Sequence, residues 1–311
     1  MTRLVVAIPT FLRPSALERA IRAVLAHIAV LEADPSFGVS MEVLVVDNDP
    51  AASARETALR YAADGVRYAH EPVPGISAAR NRALAEAQGA TLVAFIDDDE
   101  EPREAWLRPL VEVWRDTSAA AVMGRVVSVF EGEIDPWLHA GRFFIRRSMP
   151  SGTDIDVAAA GNLLLDLTQV DSAGVRFDDR LGLSGGEDTL FSVQLRAAGH
   201  RIVWCDESET TDYVPADRTT RRWALRRSWS HGNSGSVVAT MTAGSTGARL
   251  LARISSAMTG TVRVVGGAAR WVLGLLARNL THQARGARTA FRGMGMIAGA
   301  FGSVFHEYGR S

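Results

Sequence analysis

Leu92-Val93-Ala94-Phe95-Ile96-Asp97-Asp98-Asp99-Glu100-Glu101-Pro102 sets five apolar residues directly before five carboxylates and a proline. The apolar run reads as a buried strand, and the carboxylates fall at its C-terminal end, the edge of an open α/β sheet where ligands bind. So much like charge is unfavourable unless a divalent cation, a cationic partner or water neutralises it. Two readings of the stretch stay open. One is a metal site that holds a phosphate-bearing substrate. The other is a solvated acidic loop leading into a helix, because Glu100, Glu101 and Glu104 also suit a helix N-terminus.

Working outward, the same strand-then-turn pattern recurs. Leu4 to Ile8 ends at Pro9-Thr10, and Met41 to Val46 ends at Asp47-Asn48-Asp49-Pro50. Val66 to Ala69 is a short third strand. Between these runs, helices are expected from Pro14-Ser15 onward, over 51–63 and over 78–87, the last introduced by Pro74-Gly75-Ile76-Ser77. Alternating strands and helices predict βαβ units and a mostly parallel sheet. Further strands are expected over 120–129, 161–165 and 201–205, a helix over 189–198, and irregular chain over 131–156. Neither a GxGxxG fingerprint nor a P-loop follows the first strand, which argues against dinucleotide and NTPase chemistry.

The bulk properties are those of a folded globular chain: 311 residues, 47% hydrophobic and 22% charged, with net charge −1. The whole chain therefore gives no hint of a nucleic-acid partner. All 34 basic residues are arginine. A single cysteine, Cys205, leaves no intrachain disulfide framework. No uncharged apolar run reaches the roughly 18–20 residues needed to span a bilayer. No signal peptide is read at the N-terminus, so a cytoplasmic location is the expectation.

Set in series, these motifs resemble the family 2 glycosyltransferases, nucleotide-sugar-dependent enzymes of the GT-A fold. The resemblance rests on Val6-Ala7-Ile8-Pro9-Thr10, Val45-Val46-Asp47-Asn48-Asp49, Gly75-Ile76-Ser77-Ala78-Ala79-Arg80-Asn81, Asp97-Asp98-Asp99 and Gly186-Glu187-Asp188. It implies a Rossmann-like α/β domain over residues 1–234 and an Arg-rich helical region over 235–311. It also implies Mn²⁺ or Mg²⁺ held by Asp97 and Asp99, with Asp212 where many members carry a histidine. Pro9, Thr10, Arg13, Asp47, Arg80 and Asp98 would bind the donor nucleotide, most readily a UDP-sugar. Asp188 would be the general base toward a hydroxyl acceptor, with Glu187 orienting it. Arg218, Arg222 and Trp223 would cover the donor phosphates. The chemistry agrees, since a cation stabilises the charge that grows on a diphosphate leaving group and a facing carboxylate takes the acceptor's proton. A non-catalytic nucleotide-sugar-binding relative and a sugar nucleotidyltransferase remain as alternatives.

The last third of the chain is different. Taking about 100° per residue, Arg249, Arg253, Arg263, Arg270, Arg278, Arg285, Arg288 and Arg292 fall on one arc roughly 100° wide, and between them lie Val262, Val264, Val265, Trp271, Val272, Leu273, Leu275 and Leu276. That is the pattern of a basic amphipathic helix on an anionic membrane, which would place the protein peripherally at the membrane's inner face and suit a lipid-linked or cell-envelope acceptor. The competing reading is a helical appendage packed on the catalytic domain or on a second subunit. Gly260 and Gly266-Gly267 are expected to break any single long helix.

Overall fold

The computed structural model describes residues 2–305. The aliphatic runs become strands and the motifs fall at their ends. In chain order they are β1 (Thr2–Thr10), α1 (Pro14–Glu32), β2 (Val39–Asp47), α2 (Arg55–Leu59), β3 (Val66–His70), α3 (Ile76–Glu86) and β4 (Leu92–Ile96). There follow β5 (Glu100–Pro102), α4 (Leu107–Thr117), β6 (Ala121–Phe130), α5 (Pro136–Gly141), β7 (Asn162–Asp166), α6 (Leu167–Ala173), α7 (Glu187–Ala197) and β8 (Ile202–Val214). Three helices close the chain: α8 (Arg221–Met241), α9 (Thr246–Leu276) and α10 (Leu280–Ala300).

The eight strands make one sheet in the order β3-β2-β1-β4-β7-β6-β8-β5. The half built from β3, β2, β1 and β4 is parallel, so the turns after β1, β2 and β4 lie along one edge. β7 then runs antiparallel to β4 and β6 antiparallel to β7. The sheet is thus mixed but largely parallel, a GT-A arrangement. Side chains alternate between its faces. Leu4, Val6 and Ile8 pack with Leu17, Ile21 and Val24 of α1 on one face. Val5 and Ala7 pack with Ala79 and Ala83 of α3 on the other.

Three local expectations change. The helix expected over 51–63 shrinks to α2, because Ala52 turns to φ 54° and the Asp47 carboxylate captures the Ala54 N–H, holding the preceding loop in its own shape. The irregular stretch over 131–156 contains α5, started by Asp135, whose carboxylate accepts from the Trp137 N–H. The final strand runs on to Val214, well past Cys205.

By its internal contacts the chain divides into two compact units. The first runs through Val127, Arg146–Gly182 and Glu187–Asp212; the second takes Ser128–Ile145, Leu183–Gly186 and the chain from Tyr213 onward. Within the second unit, α9 packs antiparallel to α10, and the glycines are the reason. A Cβ on Gly260 would lie 2.8 Å from the Gly293 carbonyl oxygen, and one on Gly267 would lie 2.5 Å from the Ala290 nitrogen. Gly274 meets Gln283 in the same way. These residues let two helical backbones touch. They do not break α9, which is continuous for 31 residues. The break in the arginine arc falls instead at Arg278 (φ 50°), where the chain reverses between α9 and α10. No helix among the described residues is long and apolar enough to cross a membrane.

Candidate functional site

The site is assembled at the C-terminal edge of the parallel strands, all within the first unit. The turn after β4 carries Asp97, Asp98 and Asp99. Asp98 is buried and faces the end of β1, where the Thr10 hydroxyl donates to its Oδ2 at 2.7 Å and Arg13 donates to its Oδ1 at 3.0 Å. Arg13 also donates to Asp99 Oδ2 at 2.8 Å. One arginine therefore clamps two adjacent carboxylates. Burial works against the Arg13 charge, but Asp98 and Asp99 outweigh it and hold its pKa above the ordinary value. Burial in turn pushes Asp98 up, against the pull of Arg13 and Thr10.

Asp97 points toward a second arginine. Arg80 lies on the first turns of α3, is only 6% exposed, and reaches Asp97 Oδ1 at 3.8 Å. Its other partner is Glu187, in the first turn of α7, through a short charge-assisted hydrogen bond. The guanidinium also lies over the Phe177 ring, 5.5 Å from its centroid. A surface position for Arg80 is thereby excluded; it is the buried bridge between β4 and α7. Burial, then repulsion from Asp98, Asp99 and Asp212, raises Asp97 to about 6 against the pull of Arg80. Its side chain is 39% exposed, so solvent tempers that push. Glu187 is raised to about 7, first by burial and then by Asp188, while Arg80 opposes the shift. Its Oε2 is buried without a hydrogen-bond partner. Asp188 is half-buried, and Thr189 N–H and hydroxyl donate only to its Oδ1.

The segment 75–81 positions Arg80. Gly75 adopts φ 134°, and a Cβ there would stand 3.2 Å from Gly182 Cα. Asn48 Oδ1 accepts the Gly75 N–H, and the Ile76 N–H donates to the Gly182 carbonyl. Ser77 donates to the Asp178 carbonyl, while Asn81 both donates to the Phe177 carbonyl and accepts its N–H. The motif thus fastens α3 to the loop that leads into α7. Its polar residues hold backbone, and its arginine is left for the site.

A third group was not singled out from the sequence. Glu100 is buried beneath the turn, where the Thr210 hydroxyl donates to its Oε2 at 2.7 Å. Burial first, then Asp97, push its pKa well above the ordinary value. Gly161 makes room: a Cβ there would fall 2.7 Å from Glu100 Oε1 and 3.2 Å from Asp97 Oδ2. Asp212 sits opposite Glu100 in the β5–β8 register and is held by Arg146 at 3.1 Å. In the sequence Glu100 looked like helix-start charge, and Arg146 lay in a stretch with no periodicity. Only the pairing of β5 with β8 brings them here.

Among the described residues no three His, Cys, Asp or Glu side chains form a ready metal-binding cluster. The donor chemistry nonetheless fits a hard divalent cation. Mg²⁺ in phosphate chemistry is commonly held by one or two carboxylates, with water and substrate oxygens completing the shell. The mutual repulsion that raises Asp97 is the kind a cation relieves.

Pro9 is a buried residue of β1, paired with Val46. Asp47 is fully buried, its oxygens accepting from the N–H groups of Asp49 and Ala54 and from the Tyr68 hydroxyl at 3.1 Å. The partial burial of Tyr68 itself, then the Asp47 charge, raise its pKa to about 12. Arg218, Arg222 and Trp223 belong to the second unit, where Trp223 stacks on Phe144 with centroids 6.0 Å apart.

Residues 5–166 match the sequence signature described as Glycosyl transferase family 2. The chain belongs to that family. Over 202 residues it is 34% identical to the succinoglycan biosynthesis protein ExoM of Rhizobium meliloti, a match covering 62% of this chain and 63% of that protein. It is 30% identical over 205 residues to the pre-mycofactocin glycosyltransferase of Mycobacterium tuberculosis, covering 62% of this chain and 42% of that one. The matches therefore span under two thirds of either relative's length. In fold, the chain is similar to the crystal structure of S. aureus TarS 1-349, with TM-score 0.54 at 11% identity over 93% of this chain and 91% of that one.

Proposed function

We propose that this protein transfers a sugar from a nucleotide-diphosphate donor to a hydroxyl acceptor by one in-line displacement, inverting the anomeric configuration. The observation that carries the proposal is the convergence, in one unit, of the Asp97–Asp99 turn with the Arg80–Glu187 pair and Asp188. In this reading the donor diphosphate lies against the carboxylate turn. Mn²⁺ or Mg²⁺, held by Asp97 and Asp99 with Asp212 beside them, would supply Lewis-acid stabilisation of the leaving diphosphate. Arg13 and Arg80 add positive charge along the same path. Asp98, tied to Thr10, keeps the turn in shape beside the nucleotide. Asp47 meets the base or ribose only by giving up one of its present hydrogen bonds.

On the other side of the donor, Asp188 takes the proton from the acceptor hydroxyl as its oxygen bonds to the anomeric carbon. The bond from that carbon to the phosphate oxygen breaks, and the nucleotide diphosphate leaves with the electron pair. Asp188 suits the task because one carboxylate oxygen is anchored by Thr189 while the group stays half-exposed. Glu187 suits a positioning role, since it is buried against Arg80. The relative named for succinoglycan biosynthesis supports a glycan acceptor. A structure of TarS contains UDP, which makes UDP-sugars the first donors to test.

The test is donor turnover. Purified protein is screened by thermal shift against nucleotide sugars with Mn²⁺ and with EDTA, and the stabilising donor is then followed for release of the nucleotide diphosphate. The expected result is stabilisation and turnover that both need the cation. Stabilisation by a donor that is never consumed, with any acceptor supplied, would favour the non-catalytic binding reading.

A further inference from the structure

The open face of α9 is apolar from end to end. Leu251, Ile254, Met258, Val262, Val265 and Leu276 recur at steps of three and four along it, apart from the last, and none is covered. Leu251, Val262, Val265 and Leu276 are 68%, 72%, 64% and 78% exposed. At about 100° per residue this stripe is centred roughly opposite the Gly260–Gly267–Gly274 row that seats α9 on α10. Arginine does not interrupt it. Arg253 lies beyond one edge and Arg263 and Arg270 beyond the other, toward α10, where Gly293 faces the Arg263 Cβ. At 1.5 Å per residue the stripe, from Leu251 to Leu276, is about 38 Å long. An exposed patch of that extent marks an interaction surface.

We propose that this face lies in the surface of a bilayer carrying anionic lipids. Charge selects that occupant. From Arg218 to Phe305 the chain has thirteen arginines and no Asp or Glu. A second copy laid stripe to stripe would bring two strongly basic segments together, whereas anionic headgroups complement that net charge. A helix with one continuous apolar face and its arginines on the other side is the form of a helix that lies in the interface, the aliphatic side chains entering the acyl boundary. The helix lies on the membrane and does not cross it, in keeping with its hydropathy. The sequence placed arginines and aliphatics on one helix; the structure separates them, and the separation leaves the apolar side free. The proposal does not depend on glycosyl transfer.

Flotation of the full chain with vesicles tests it, without nucleotide sugar, so that failure here leaves the enzymatic reading untouched. Wild-type protein is expected to float with phosphatidylcholine vesicles containing phosphatidylglycerol and far less with phosphatidylcholine alone, and added salt should lower the bound fraction. The double variant Met258→Asp, Val265→Asp changes only exposed positions, so circular dichroism should be unchanged while partitioning falls about tenfold or more. Failure of wild-type protein to float with anionic vesicles would overturn the proposal. So would flotation of the double variant equal to wild type. A wild-type dimer by light scattering that the double variant converts to monomer, without vesicle binding by either, would overturn it in favour of a second copy. If the double variant does not fold, the lipid and salt dependence of the wild type decides.

Discussion

Arg80 and Glu187 are the residues on which the site's electrostatics turn. Both are buried, and each is the other's nearest counter-charge, so removing either takes away the closest compensation of a buried ion. Glu187→Ala is expected to cost about 3–5 kcal/mol of unfolding free energy, read by urea denaturation. Burial raises the Glu187 pKa from its ordinary 4.5 to about 7, so between those values the folded state holds a proton that the unfolded chain releases. The group's contribution to stability is complete below 4.5 and lost as pH rises through 7. Activity runs the other way, because only ionised Glu187 holds the Arg80 guanidinium by charge. We expect kcat/KM to rise through a pH of about 7 in the wild type. Thermal unfolding followed over the same range should fall less steeply for Glu187→Gln than for wild type. Of these residues the sequence made Asp97, Asp99, Arg80, Glu187 and Asp188 visible through their motifs. It hid Glu100, Gly161 and Arg146, because their meaning depends on β5 pairing with β8 and on β7 passing close to the turn, both long-range events without a local pattern.

At the scale of elements, glycine was the residue type hardest to read. Gly75 could be seen as the opening of a helix, and in the structure its backbone at φ 134° against Gly182 is what locks α3 beside the loop leading into α7. Gly75→Ala meets both an unfavourable backbone region and a 3.2 Å contact, and is expected to lower the thermal midpoint and the apparent donor affinity together. In α9 the glycines looked like helix breakers by propensity, and the tertiary contact overrides that weak preference. Gly267→Leu would drive a side chain into the Ala290 backbone, and Gly266→Leu, one residue away, meets nothing within 4 Å. The first is expected to destabilise by about 1–3 kcal/mol or more, and the second to leave stability unchanged within about 0.5 kcal/mol. Differential scanning calorimetry of the pair separates packing from propensity. The aliphatic strands other than β8 were read with small errors at their ends because such runs bounded by turn residues are a local signal, whereas the charged β5 was not read as a strand. The long β8 was underread because its second half is an unbroken polar run, Asp206 to Asp212.

Across the whole molecule, the α/β character and the edge at which the site forms were legible from the order of strands and helices and from where the acidic runs fell. The mixed half of the sheet was not, since strand direction depends on which distant partner a run finds. The central claim is a division of labour between two carboxylate groups. Asp97 and Asp99 serve the donor's diphosphate, and Asp188 serves the acceptor's proton. One comparison tests it directly: nucleotide binding by calorimetry with and without Mn²⁺, alongside donor turnover, for Asp99→Ala and Asp188→Asn. Asp99→Ala is expected to lose the Mn²⁺-dependent part of binding. Asp188→Asn is expected to bind as wild type does and to lose at least about a hundredfold in turnover. Equal loss of binding in both variants, or wild-type turnover by Asp188→Asn, would contradict it.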